Sequence, residues 1–213
     1  MGPLRTGFRY GMVAVVIALA ADLRFLFIDP VDTPDWILTV FEDYRTRLAL
    51  ASFLFLAILA ALRVRPTRLD PDVPYRSLLL RDSTLAATVV AVMVGVAIFF
   101  VTALNATVFA GLISDYAGSA APSMLTYYEK VAGRLEEPPP LPTLEEIEQR
   151  LQPPAPRDLG RSMANLVLRA LLLGGAGALV GILRGSSGSG DAGQSDASTQ
   201  KQSAMNNGKP PRG

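Results

Sequence analysis

Three polar side chains inside long apolar segments are the residues of this sequence best suited to chemistry. Asp22 and Arg169 can each carry a full charge, and Asn105 carries an amide. On insertion scales a charge at the centre of a bilayer costs about 2.5–3.5 kcal/mol, so such residues are usually paired or functional. Two hypotheses follow. We favour a structural ion pair between Asp22 and Arg169, supported by Asn105, and the alternative is a binding site for a solute or a proton.

The composition argues against most other chemistry. The 213 residues include no cysteine and no histidine, which removes thiolate catalysis, disulfides, the commonest general base and the commonest metal ligand. No P-loop, nucleophile-elbow or dinucleotide-binding motif occurs. Carboxylate, lysine or tyrosine chemistry stays open, but we expect no enzyme activity, no cofactor and no metal. The net charge of +1 argues against nucleic acid as a partner.

The chain is organised around residues 85–113. This segment contains no formally charged residue and is longer than the roughly 20 apolar residues that a helix needs to cross a bilayer. Three further apolar runs lie at residues 8–28, 48–64 and 163–183. The predicted fold class is therefore all-α, an integral membrane bundle of four transmembrane helices.

The first run, residues 8–28, permits a second interpretation. Its basic start and Ala18-Leu19-Ala20 resemble a signal peptide with a small-residue cleavage site. Apolar residues resume after Arg24, however, which favours an uncleaved helix. We expect the long side chain of Arg24 to direct its charge outward to the membrane surface.

The arginine distribution predicts the orientation of the bundle. Arginines concentrate near residues 1–7, in the connection 65–84 and at the start of the tail 184–213, which marks these segments as cytoplasmic. Loops 29–47 and 114–162 are then external. The prediction is an integral protein of the plasma (inner) membrane with both termini in the cytoplasm. The tail is rich in glycine, serine and other polar residues, so we expect it to be disordered.

Both external loops contain signals for local structure. Thr33-Pro34-Asp35 predicts a helix start, and the aromatic residues that follow are typical of an interfacial amphipathic helix. In the acidic, proline-rich loop, apolar spacing predicts a helix over residues 122–136, and Asp82 and Ser83 are expected to cap the third span. A polyproline stretch at 138–142 precedes a capping box that begins at Thr143.

Small residues spaced about four apart predict where two of the spans pack closely. They are Ala87, Ala91 and Gly95 in the third span and Ala170, Gly174, Gly177 and Gly181 in the fourth. Such stripes allow helix backbones to approach, either between spans of one chain or between two copies.

Helical rise predicts that the three polar residues share one layer. At 1.5 Å per residue, Asp22 and Arg169 each lie about 9 Å inside the ends of their predicted spans, and Asn105 lies about 12 Å inside its own. In the four-span topology all three of these ends face outward. We therefore expect the three side chains to meet in the outer half of the bundle.

These features favour a non-enzymatic structural or accessory subunit of a membrane protein assembly. The partners expected are the lipid bilayer and either other membrane subunits or further copies of the same chain. The alternative is a small-solute or ion transporter or channel subunit that uses the layer of Asp22, Asn105 and Arg169. Against this alternative, no predicted span is interrupted at mid-membrane by glycine and proline, as many transporter spans are.

Overall fold

The structure, a computed structural model, describes residues 2–65, 73–153 and 155–187. These residues form α-helices and 3-10 turns without a strand, so the all-α prediction is confirmed for the described chain. The helices are α1 Pro3–Asp22, α2 Asp35–Arg63, α3 Tyr75–Thr107, α4 Ala110–Ala132, α5 Leu144–Leu151 and α6 Leu159–Ser187, and the 3-10 turns are Arg24–Leu26 and Pro156–Asp158. Most of the tail predicted to be disordered, residues 188–213, lies outside the described residues.

Helices α1, α2, α3 and α6 are long and apolar enough to cross a membrane. Their outward faces carry large apolar side chains, including Val16, Phe55, Leu171 and Leu183, which are 60% to 70% exposed. Exposed apolar surface on this scale is unfavourable in water and favourable in lipid. The four helices therefore suggest a membrane-embedded, multi-pass protein.

Helix α3 lies at the centre of the bundle. It packs most extensively on α6, then on α1, and less extensively on α2. Its most buried residues are small or β-branched, namely Ala86, Ala87, Val90, Ala91 and Val94. Because these side chains are short, the helix axes can come close together. The core is then filled by closely packed helix backbones and not by large apolar side chains.

The predicted small-residue stripes of α3 and α6 lie against each other in the structure. A Cβ atom placed on Gly177 would lie 2.6 Å from Cβ of Ala87, and one placed on Gly181 would lie 2.8 Å from Cα of Leu80. Both distances are shorter than van der Waals contact, so these positions have room for glycine only. The closest approach of the two helices therefore occurs within one chain.

The same contact continues towards the start of α6. Gly95 lies against the side chain of Leu166, and Gly174 lies against the Thr88 hydroxyl, which would be 3.0 Å from an added Cβ. Two further members of the stripes pack into this core, Ala91 fully buried and Ala170 partly buried. All seven residues of the predicted stripes therefore lie at or beside the core of α3 and α6.

Helix α1 also approaches α3 through glycine, which sequence analysis did not single out. A Cβ atom on Gly7 would lie 2.7 Å from the backbone oxygen of Ala86, and Gly11 lies against the sulfur of Met93. The positions are four apart, as in the other stripes. Helix α3 is therefore approached closely from two sides.

Two helices in the first third of the chain have bounds that differ from the predicted spans. Helix α1 ends at Asp22 instead of continuing to residue 28, because the chain enters the turn Arg24–Leu26. Helix α2 runs unbroken through Asp35–Arg63, where an interfacial helix that leads directly into a span over residues 48–64 was predicted. Residues 35–47 contain neither proline nor glycine, so nothing in the sequence interrupts the helix there.

Helix α3 begins earlier than predicted, at Tyr75 directly after Pro74. Residues 75–84 are therefore helical and not part of a connecting loop, and Asp82 and Ser83 lie inside the helix rather than at its cap. Ser83 is fully buried, and its hydroxyl donates a hydrogen bond of 3.3 Å to the backbone oxygen of Ala61 in α2. This bond accounts for a polar side chain in the core.

The last carbonyl groups of α2 are bound by α6. Nη1 of Arg184 lies 3.1 Å from the backbone oxygen of Ala61 and 3.2 Å from that of Val64. Carbonyls at a helix end lack partners within the helix, and a positive charge there interacts favourably with the helix dipole. Arg184 therefore closes α2 and fixes it to α6.

At its other end, α3 stops at Thr107 and the chain continues almost directly into α4. The backbone N–H groups of Val108 and Phe109 both bond to the carbonyl oxygen of Leu104, which interrupts the regular helical pattern. The predicted span over residues 85–113 therefore divides between two helices. Helix α4 then extends through Pro122, where a helix over residues 122–136 was predicted.

Helices α4 and α5, together with residues 35–44 of α2, form a second core that we call the head. Its buried residues include Leu38, Ala117, Ala120, Met124, Ile147 and Leu151. Helix α5 begins with the predicted capping box, in which Glu146 N–H donates to the Thr143 hydroxyl at 3.2 Å and Thr143 N–H donates to Glu146 Oε2 at 2.9 Å.

Two glycines of α6 provide a matched test of the close packing. Alanine is favoured over glycine in a helix by about 1 kcal/mol, so Gly175→Ala, with nothing near its added Cβ, should be neutral or stabilising. Gly177→Ala should instead destabilise by about 1–3 kcal/mol, because its Cβ would overlap Ala87. Thermal unfolding in detergent measures both variants, and equal effects would contradict the packing described here.

Candidate functional site

Arg24 lies at the junction between the bundle and the head. Helix α1 ends two residues earlier, and the 3-10 turn that follows directs the side chain inward, where the residue is 7% exposed. Its Nε donates to Oε1 of Glu42 in α2, and both side chains are almost fully buried. The expectation that Arg24 would direct its charge outward is therefore wrong, because a buried carboxylate lies within reach.

The carboxylate of Glu42 has two further partners. The Tyr116 hydroxyl of α4 donates to Oε1 at 2.9 Å, and Nη1 of Arg45 lies 3.8 Å from Oε2. The guanidinium of Arg24 also lies over the Tyr116 ring, 5.5 Å from its centroid. One carboxylate thus connects the α1–α2 turn, α2 and α4. We call Arg24, Glu42, Arg45 and Tyr116 the junction network.

A second tyrosine of α4 makes a parallel contact one residue further along α2. The hydroxyl of Tyr128 lies 2.8 Å and 3.0 Å from the two carboxylate oxygens of Asp43. Burial, and then the neighbouring Glu42 carboxylate, raises the pKa of Tyr116 well above its ordinary value of 10.0. Burial, and then the bond to Asp43, raises the pKa of Tyr128 in the same direction. Both phenols therefore stay protonated and donate at neutral pH.

Asp22 is the last residue of α1 and lines a cavity of about 100 Å³. Arg45 and Thr46 of α2 and Arg169 of α6 line the same cavity. The structure therefore brings Asp22 and Arg169 to one cavity, but the predicted ion pair between them is not among the salt bridges of the described residues.

The helix bounds do not support equal depths for the three predicted polar residues. Asp22 ends its helix, and Asn105 lies about 3 Å from the end of α3. Helix α6 begins at Leu159, so Arg169 lies about 15 Å along it. The long arginine side chain, rather than a shared backbone level, is what reaches the cavity of Asp22.

Asn105 does not line the cavity that contains Asp22 and Arg169. The residue is 8% exposed, and its Oδ1 is buried without a hydrogen-bond partner among the described residues. The cavity is lined instead by Ile98, about two helical turns earlier on α3. Among the described residues, no contact of Asn105 with Asp22 or Arg169 supports its predicted role beside an Asp22–Arg169 pair.

Sequence analysis missed Glu42, Arg45, Tyr116 and Tyr128 as functional candidates. Glu42 belonged to the polar side of the predicted interfacial helix, where charged residues are normally solvated. The signal that could have found the network is a pair of opposite charges near one connection. Arg24 lies near the end of the first apolar run, and Glu42 lies shortly before the second. Tyr116 carried no such signal, because α4 was expected to begin later, and Tyr128 was assigned to the apolar face of the helix predicted over residues 122–136.

The network and the cavity differ in what they can do chemically. Oε1 of Glu42 accepts from both Arg24 and Tyr116, and Oε2 lies near Arg45, which suits a structural role. Asp22, Arg45 and Arg169 border a cavity and can contact a bound molecule there. In the part of the chain that the structure describes, no three His, Cys, Asp or Glu side chains are grouped to hold a metal ion.

No protein-family model, curated protein or solved structure matches the chain.

Removal of Arg24 tests the junction network. Arg24→Met should destabilise the protein by about 3–5 kcal/mol, because Glu42 would be left buried without its main partner. Arg47→Met is the matched control, since Arg47 is exposed on the same helix as Glu42 and should cost less than about 1 kcal/mol. Adding Glu42→Leu to Arg24→Met should recover much of the loss, and a double-mutant cycle without coupling would refute the pair.

Alkaline titration tests the two raised phenol pKa values. In the unfolded chain Tyr116 and Tyr128 ionise near 10.0, whereas the folded chain keeps both protons to higher pH. The folded state then binds more protons above pH 10, so its stability should fall as the pH rises through that range. Ultraviolet absorbance of tyrosinate should show a late-titrating fraction that Tyr116→Phe and Tyr128→Phe together remove. Persistence of that fraction in the double variant would refute the assignment.

Proposed function

We propose that the protein is a membrane-embedded, non-enzymatic accessory subunit that holds a partner protein on its head. The observation that carries this proposal is the continuous helical connection, reinforced by buried polar contacts, between the head and the bundle. Helix α2 passes unbroken between them, and the junction network adds buried polar contacts at the same place. A head fixed in this way can hold a partner at a defined height above the bilayer.

The cleft of the head is suited to a protein segment. It measures about 670 Å³ and lies between α2, α4 and the polyproline stretch. Tyr44, Tyr128, Pro140 and Leu141 are among its lining residues. Tyrosine and proline offer rigid contact area at small entropic cost, and aromatic residues are enriched at protein interfaces. An extended segment of the partner is the occupant that such a surface favours.

The orientation proposed for this subunit follows the arginine distribution. Cytoplasmic ends and an external head are consistent with the charges of loops on both sides of the bundle. The plasma (inner) membrane is the proposed location. In this orientation the partner binds outside the cytoplasm, where the head and its cleft would lie.

Transport or channel activity is the second candidate. The cavity lined by Asp22, Arg45 and Arg169 favours it, because ionisable residues within spans often mark a pathway. The cavity holds only about 100 Å³, and the adjoining core of the bundle is filled by alanine and valine together with Phe53 and Leu173. A partner-holding role is therefore preferred over a pathway through the bundle.

Two leucines with equal exposure test the role of the cleft. Leu141 and Leu144 are each 44% exposed, but only Leu141 lines the cleft. After extraction from native membranes with mild detergent, Leu141→Asp should reduce a stoichiometric co-purifying protein about tenfold or more, because a charge would be buried at the interface. Leu144→Asp should retain that protein.

A photo-crosslinking residue gives the complementary measurement. Placed at Tyr44 in the cleft, it should form one adduct of defined mass, and placed at Thr126, exposed on α4 away from the cleft, it should form none. A wild-type protein that purifies alone or only with copies of itself would contradict the accessory role. Equal adducts at both positions would contradict the cleft as the binding surface.

A further inference from the structure

Two adjoining cavities lie where α1, α2 and α6 meet near the end of α1. The first is the 100 Å³ cavity bordered by Asp22, Arg45 and Arg169. The second, of about 250 Å³, lies between α1 and α2. Ala21, Arg45 and Ala49 line both cavities, so the polar space and the larger groove adjoin at Arg45.

The larger groove is apolar apart from its arginine end and one serine. Ile17 and Ala20 line one side from α1, and Phe41 and Leu48 line the other side from α2. Ala20 and Leu48 are exposed on the outside of the bundle, so the groove opens towards the surrounding lipid. We call this space the α1–α2 groove.

The charges around the polar cavity do not balance. Of the charged residues that line it, Arg45 and Arg169 are positive and Asp22 is negative, while the nearby Glu42 is already paired with Arg24. Two positive charges against one negative charge leave one positive charge in excess. A buried or half-buried excess charge is unfavourable without a counter-ion.

The two arginines at the cavity have donors to spare. Arg45 reaches Glu42 through one nitrogen at 3.8 Å, which is longer than a hydrogen bond. Arg169 makes no ion pair or hydrogen bond with the described residues. A guanidinium carries five N–H donors in a planar fork that matches phosphate and carboxylate oxygens. The cavity is therefore bordered by two guanidinium groups that have donors available for an anion.

The position of Arg45 along α2 fits the depth of a lipid headgroup. It precedes the apolar run at residues 48–64 by three residues, or about 5 Å of helix. Basic residues at this distance from a span lie at the level of the phosphates. The α1–α2 groove extends from Arg45 past Leu48 to Ser52, in the direction that an acyl chain would take.

We propose that the polar cavity and the α1–α2 groove together bind one anionic phospholipid. Its phosphate contacts Arg45 and Arg169, and one acyl chain lies in the groove against Ile17, Ala20 and Leu48. The excess positive charge selects an anionic over a zwitterionic headgroup. This site lies apart from the cleft of the head and does not depend on the partner-binding role proposed above.

Native mass spectrometry of the full chain tests the site directly. The protein is reconstituted in nanodiscs that contain equal amounts of phosphatidylglycerol and phosphatidylcholine. The wild type should retain one phosphatidylglycerol, with about tenfold less phosphatidylcholine. Arg45→Gln should lower phosphatidylglycerol retention about tenfold, whereas Arg47→Gln, on the same helix but outside both cavities, should not. Equal retention of the two lipids, or equal loss in both variants, would overturn the proposal.

Two further measurements distinguish lipid binding at this site from misfolding of the Arg45 variant and from binding of a free anion. Ala20→Leu narrows the α1–α2 groove and leaves every charge in place, so it too should lower lipid retention. Retention unchanged in Ala20→Leu would overturn the acyl-chain assignment. In lipid-free detergent, inorganic phosphate should raise the thermal stability of the wild type less than phosphatidylglycerol does. Equal stabilisation by phosphate alone, or a dimer that carries no lipid, would overturn the lipid assignment.

Discussion

The buried carboxylate of Glu42 is the group on which the arrangement of the protein depends. Arg24, Tyr116 and Arg45 all converge on it, so the α1–α2 turn, α2 and α4 meet at one side chain. A buried carboxylate without such partners is strongly unfavourable. The head and the bundle are therefore coupled, because a movement of the turn would remove the ion pair of Glu42 and a movement of α4 would remove its tyrosine donor.

The cores of the bundle and of the head are filled by different kinds of side chain. In the bundle, glycine and alanine let α1 and α6 approach α3 so closely that polar groups have little room. In the head, tyrosine, methionine and leucine fill the space and leave open clefts at the surface. This contrast favours binding at the head and at the lipid-facing junction over passage through the bundle.

Local signals in the sequence predicted a large part of this fold. Long uncharged runs, the capping box at Thr143 and the small-residue stripes depend on neighbours three or four residues apart, which a sequence displays directly. The helix ends were harder to predict, because no proline or glycine between residues 104 and 110 indicates the break after Thr107. The depths assigned to Asp22, Asn105 and Arg169 were counted from predicted ends that the helices do not share, so the common layer stays a prediction without that support.

The junction network could not be derived in the same way. Arg24 and Glu42 belong to different elements, and their contact requires that α2 continue as one helix past the expected membrane boundary. Tyr116 joins them from a helix much later in the chain. Such contacts arise from tertiary geometry, and periodicity carries no information about them.

The distance between head and bundle tests the central claim most directly. The chain has no cysteine, so spin labels on cysteines at Thr126 of α4 and Leu179 of α6, both exposed, would be the only labelled sites. Pulsed electron paramagnetic resonance in nanodiscs should give one narrow distance distribution for the wild-type background. Glu42→Gln should broaden it, because the charged acceptor of the junction network is lost. A broad distribution in the wild-type background would contradict a head that is fixed to the bundle by Glu42.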